Sequence, residues 1–162
     1  MIRFAPLVIL AVLLGLFMLG IGRDAQTPEL AMANRPVPAT SIDGISADDF
    51  KNGTVLVNFF ASWCVTCVAE QKVFADIGAK NPDLKIIGIA YKDDPVKTAL
   101  WLKRHGNPFD TIGHDPKGVA GLEWGVTGVP ETYIIKDGIV RGRAIGALPP
   151  HTATALLAKA TP

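Results

Sequence analysis

Cys64 and Cys67 are the only cysteines among 162 residues, and they stand two residues apart in Trp63-Cys-Val-Thr-Cys67. Thiols at this spacing can share a metal ion, close a small structural bridge or cycle between dithiol and disulfide. Zinc needs four ligands. The chain has no second CxxC, and His105, His114 and His151 lie outside ordinary finger spacing. A purely structural bridge would close so short a loop that it would restrict the unfolded chain very little. Haem attachment to this chain is disfavoured because Val68, not His, follows Cys67. A redox-active dithiol is the favoured reading of the three. The histidines have no local partner pattern and read as surface or turn residues.

Such a dithiol needs a helix N-terminus beneath it. There, unpaired N–H groups and the positive end of the helix dipole favour a thiolate. The apolar run Thr54-Val-Leu-Val-Asn-Phe-Phe60 has the length and composition of a buried strand, and a helical pattern follows Cys64. Cys64 is then the attacking thiol and Cys67, one turn on, the resolving thiol. The pattern places Val65, Val68, Val73, Phe74 and Ile77 on one side of this helix, with Glu70, Gln71, Lys72 and Lys80 elsewhere. Asn81-Pro82 stops it.

Around that junction the rest of the domain can be laid out. Ser46 to Phe50 reads as a short capped turn. Leu84–Tyr91 forms a second strand, completing a right-handed βαβ unit with parallel strands. A helix from about Pro95 to Arg104, with Val96, Leu100 and Trp101 apolar, ends at Gly106. A short extended segment at 109–112 and a turn or helix at 115–122 come next. Thr132–Ile135 and Ile139–Ile145 flank Lys136-Asp-Gly138, a strong antiparallel hairpin signal, and Thr152–Lys159 supplies a closing helix. This order predicts an α/β chain with a mixed sheet flanked by helices.

Lys and Arg exceed Asp and Glu by 16 − 15 = 1, so charge makes no case for a nucleic-acid partner. The segment from Phe4 to Gly22 carries no charge; as a helix it would be roughly 28 Å long, near the hydrocarbon thickness of a bilayer. A retained anchor is favoured over a cleaved signal, because Ala31-Met-Ala33 lies well beyond the apolar run and past Arg23 and Asp24. The expected organisation is an anchor at 1–22, a Pro-containing linker at 23–43 and a folded domain at 44–162.

Trp63-Cys-Val-Thr-Cys67 followed by Ala69-Glu70, Tyr91-Lys-Asp-Asp94, Trp101-Leu-Lys103 with Gly106-Asn-Pro108, and Gly125-Val-Thr-Gly-Val-Pro-Glu-Thr-Tyr133 are separate pieces of one pattern. Together they resemble the thioredoxin fold and, within it, the DsbE/CcmG family of membrane-anchored thiol:disulfide interchange proteins of cytochrome c maturation. The resemblance spans about residues 36–150. The chain departs from it at Val65, where many members have Pro, and in a short region before the first strand, where a hairpin looks reduced.

The resemblance implies that Pro130 is the cis-proline lying against the disulfide. Trp63, Val129 and Thr132 are candidate client contacts, with plain packing the alternative for Trp63. Glu70, one turn after Cys67, and Glu131, next to Pro130, are candidates to assist proton movement at the sulfurs, the alternatives being a solvated helix face and an ordinary loop acid. Thioredoxin's buried Asp in the strand before the motif corresponds to Asn58, which cannot titrate. Also implied is a monomeric protein-disulfide reductase without cofactor or metal, held on the bacterial inner membrane with its domain in the periplasm. It would reduce apocytochrome c or the haem-ligation proteins and draw electrons from a membrane thiol donor. Rival readings are a general periplasmic disulfide oxidant or isomerase, and an apocytochrome-binding assembly module in which thiol chemistry is incidental. A copper chaperone is disfavoured, because no Met or His cluster accompanies the thiols.

Overall fold

The computed structural model describes residues 10, 13–15, 32–39 and 41–160. Its centre is a five-stranded sheet in the order β3-β2-β1-β4-β5, built from β1 (Thr54–Phe60), β2 (Lys85–Tyr91), β3 (Thr111–Asp115), β4 (Glu131–Lys136) and β5 (Ile139–Ile145). Strands β1, β2 and β3 run parallel, while β4 pairs antiparallel with both β1 and β5. The mixed sheet expected from a βαβ unit followed by a hairpin is therefore present. Asp137 and Gly138 at the hairpin tip both take positive φ, 49° and 77°, as a tight two-residue connection between right-twisted strands requires.

As the central strand, β1 is buried along almost its whole length, and its alternation divides two cores. Leu56 and Phe60 face one side, where they meet Phe74 and Ile77 of α1 (Cys67–Lys80), Trp101 of α2 (Pro95–His105) and Leu156 of α4 (Pro150–Ala158). Val55, Val57 and Phe59 face the other, against Trp124 of α3 (Val119–Trp124) and against Ile42 and Phe50 from the N-terminal stretch. Capping follows the sequence where side chains allow it. Asp94 accepts from the N–H groups of Val96 and Lys97, each at 3.0 Å, with Pro95 opening α2. Ser46 and Asp49 form a reciprocal capping box around a 3-10 turn at Ala47–Phe50.

Two helix faces differ from expectation. In the turn before α1 and in its first turn, Val65 is 86% and Val68 37% exposed, while Glu70 and Gln71 are buried with Phe74 and Ile77. On α2, Val96 and Leu100 lie outside and Thr98, Trp101 and Leu102 inside. Phe74, Ile77 and Trp101 face the core as the apolar pattern predicts, whereas Val65, Val68, Val96 and Leu100 do not. The buried polar groups at 70 and 98 have partners reaching in from the sheet and its loops, so burial leaves them bonded.

The linker expected at 23–43 is partly docked. Within it, Asn34 donates its N–H to Val140 O at 2.7 Å, Val37 donates to Gly138 O at 2.9 Å, and Pro36 bridges Ile139 on the β5 edge. Farther along, His114 of β3 donates its N–H to Asp43 O at 2.9 Å. This stretch thus crosses one face of the sheet and fastens to both outer strands. Of the expected anchor at 1–22, only residues 10 and 13–15 are described. Among the described residues no helix is long and apolar enough to cross a membrane.

Candidate active site: the Cys64–Cys67 turn

After Phe60 the chain leaves the sheet and turns through Ala61 to Thr66 before α1 begins at Cys67. Cys64 therefore lies in the turn and Cys67 is the first helical residue, rather than lying a turn inside the helix. The two are joined as a disulfide, with an S–S distance of 2.07 Å. The backbone N–H of Cys67 donates to Cys64 Sγ at 3.2 Å. A free N–H of the first helical turn is thus aimed at the first sulfur, and it favours negative charge there. Cys64 is 5% exposed and Cys67 fully buried. Both sulfurs are thus largely enclosed. What accessibility there is belongs to Cys64.

The residues leading into the turn are fastened to the β2–α2 connection. Ser62 donates its N–H and its hydroxyl to Asp93, at 2.6 and 2.8 Å. Trp63, 57% exposed, donates its indole N–H to the carbonyl of Lys92 at 3.2 Å. Asp93 was hidden in the sequence behind its neighbour, because Asp94 before Pro95 accounts for an acid there as a helix cap. The only available signal was the motif Tyr91-Lys-Asp-Asp94 itself.

Below the disulfide lies a buried polar cluster. Glu70 on α1 accepts the backbone N–H of Leu148 at 2.5 Å, and the Asn58 amide stands 3.5 Å from its other oxygen. Asn58 also donates to Thr132 Oγ1 at 3.1 Å. Burial lifts the Glu70 carboxyl to about 7, outweighing the Leu148 N–H and the Asn58 amide, which favour the charged form. Thr132 thus lies beneath this face of the sheet, fully buried and bonded to Asn58.

Glu131 points the other way, as the alternation of β4 demands. Its carboxylate sits 2.6 Å from Arg143 Nε, accepts from the Tyr133 hydroxyl, and accepts both the N–H and the hydroxyl of Thr127 at 3.1 Å. It is fully buried, on the face that carries Tyr133 and Trp124, whereas both sulfurs belong to the opposite core. Burial and the adjoining Glu131 push the Tyr133 phenol upward. Between Thr127 and Glu131 runs the loop holding a cis Val129–Pro130 bond. Val129 packs against the core that contains both cysteines. No group of three or more His, Cys, Asp or Glu able to hold a metal occurs among the described residues.

A family model described as Redoxin matches residues 32–158. The thiol:disulfide interchange protein DsbE of Escherichia coli (strain K12) is 37% identical over 139 residues, covering 80% of this chain and 74% of that protein. The chain belongs to the DsbE family of thiol:disulfide interchange proteins. The thiol:disulfide interchange protein HelX of Rhodobacter capsulatus is 34% identical over 148 residues, which cover 86% of this chain and 82% of HelX. Among solved structures, a secreted Mycobacterium tuberculosis disulfide oxidoreductase homologous to E. coli DsbE superposes with a TM-score of 0.63 at 19% identity, covering 74% of this chain and 94% of that one. That likeness speaks to the thioredoxin-like fold alone. In this DsbE-family chain, Cys64 and Cys67 are the pair available for thiol:disulfide interchange.

Proposed function

We propose that the chain reduces disulfides of apocytochrome c, or of the haem-ligation proteins that handle it, from the periplasmic side of the bacterial inner membrane. The observation that carries the chemistry is the asymmetry of the sulfurs. Cys64 Sγ is the more accessible and receives a helix N-terminal N–H, while Cys67 is enclosed behind it. In the reduced protein the Cys64 thiolate attacks one sulfur of the client disulfide. A Cys64–client disulfide forms and the first client thiolate leaves. Cys67 then loses its proton and attacks Cys64 Sγ, releasing the second client thiolate and leaving Cys64–Cys67 oxidised. Two electrons pass to the client, and a membrane thiol donor returns them.

Glu70 is the proton acceptor for Cys67 in this scheme. It stands one helical turn from Cys67, and burial keeps its carboxyl near neutrality, where proton exchange is most effective. Glu131 has a different task. Its bonds to Thr127 and Arg143 hold the loop that carries Val129 and Pro130. The client lies along that loop and against Trp63, with Thr132 supporting it from beneath.

Support for the client is the motif resemblance of Gly125–Tyr133 to the cytochrome c maturation proteins; support for the anchor is the uncharged run at 4–22. The domain acts as a monomer. The test is a Cys67→Ser variant expressed in cells that make c-type cytochromes. It traps a Cys64-linked complex containing apocytochrome or a haem-ligation protein, and reduction releases it. Recovery of no such complex, while wild type supports maturation, overturns the reading. Recovery of general exported proteins favours the oxidant alternative.

A further inference from the structure

Asp93 accepts four hydrogen bonds beside the turn that carries Cys64. Besides Ser62 N–H and hydroxyl, it accepts the Asp94 N–H at 2.9 Å and the Thr98 hydroxyl at 3.0 Å. Two donors fall on each oxygen, and the residue is 6% exposed. A carboxylate held this way cannot rotate without leaving a buried donor unpaired. Half of its bonds anchor it to α2, and half run to the single residue that precedes Trp63 and Cys64.

The location gives those bonds their weight. Between Phe60 and Cys67 the chain has no strand partner, and the Cys64 N–H reaches back only to Ala61 O, at 3.1 Å. Ser62 is fastened by Asp93, and Trp63 by the carbonyl of Lys92, a residue whose φ of 48° turns the chain sharply there. One short connection thus holds both the exposed indole and the approach to the sulfur. Thiol–disulfide exchange is demanding of direction, since the attacking sulfur must line up with the bond it breaks. Small displacements of a positioned group carry large rate penalties.

We infer that Asp93 is a positioning residue for thiol exchange: by clasping Ser62 it fixes the turn that presents Cys64 Sγ and the Trp63 ring to an incoming disulfide. It touches neither sulfur nor client and acts through Ser62. The inference rests on Cys64 being the attacking thiol.

The test uses the reduced full-length chain in detergent, with oxidised glutathione as the probe disulfide. Second-order rate constants are divided by the Cys64 thiolate fraction, obtained from the pH dependence of alkylation, so that the charge lost in Asp93→Asn does not enter. Ser62→Ala keeps the backbone N–H and the fold, and it loses only the hydroxyl bond. Thr98→Val loses a bond of the same carboxylate on the α2 side. Ser62→Ala and Asp93→Asn are each expected to slow exchange about ten-fold or more, the double variant being no slower than the slower single. Thr98→Val should stay within about two-fold of wild type although its Tm falls. Exchange at the wild-type rate in Ser62→Ala and Asp93→Asn overturns the inference. So does slowing that follows Tm through all three variants. A wild-type chain that fails to exchange at all overturns the assignment of Cys64 instead.

Discussion

Leu148 donates its backbone N–H to Glu70 Oε1 at 2.5 Å, joining the first turn of α1 to the loop before α4 across 78 residues of sequence. The bond holds a carboxyl inside the protein one helical turn from Cys67, where burial raises it toward neutrality.

Burial raises the Glu70 carboxyl from 4.5 to about 7. Between those values the folded chain holds a proton that the unfolded chain has released. Its stabilising contribution is therefore complete below 4.5 and is lost as pH rises through about 7. Glu70→Gln keeps an acceptor for Leu148 and abolishes the titration. Measured by thermal unfolding, the variant should gain on wild type between about pH 5 and about pH 8, by on the order of 2 kcal/mol. A difference that does not vary with pH would contradict this.

The Glu131–Arg143 pair is buried on both sides, at 0% and 1% side-chain exposure. Arg143→Met leaves the carboxylate without its guanidinium and should cost about 3–5 kcal/mol. Glu131→Gln in the same chain removes the stranded charge while still accepting from Thr127. Urea midpoints should place the double variant well above the single Arg143→Met. A double variant no more stable than the single would show that the charge was never the problem.

Gly113 of β3 lies beneath the N-terminal stretch. A Cβ there would stand 2.3 Å from Ile45 Cδ1 and 2.8 Å from Ile42 Cγ2. Both side chains are packed, so Gly113→Ala must displace the stretch from β3 and should cost about 1–3 kcal/mol. Amide exchange at His114, whose N–H bonds Asp43 O, should accelerate with it. Unchanged protection at His114 would refute the coupling.

Strand and helix positions were legible because the chain obeys two clear periods: β1, β2 and the hairpin carry β-branched runs, and α1 ends at Asn81-Pro82 as the stop signal requires. Side-chain orientation near the site was less so. Val65 and Val68 look like core residues to any hydrophobic count, yet they lie outside, while Glu70 is taken in by a backbone N–H from a loop far along the chain. No local pattern encodes a partner 78 residues away. The cysteines were found by scarcity and spacing alone. Asp93 and Arg143 were missed because their importance comes from Ser62 and Glu131, which only the fold brings to them. Glu131 was picked out by proximity to Pro130 in sequence, but adjacent residues on a strand face opposite ways.

The N-terminal stretch has a consequence beyond packing. An unpaired outer strand is a template on which a passing unfolded polypeptide can nucleate an added strand. Here that template is occupied on one rim at Ile139 and Val140, and on the other at His114. Covered edges deny the proposed apocytochrome client that sideways pairing and leave open the end where the sulfurs sit.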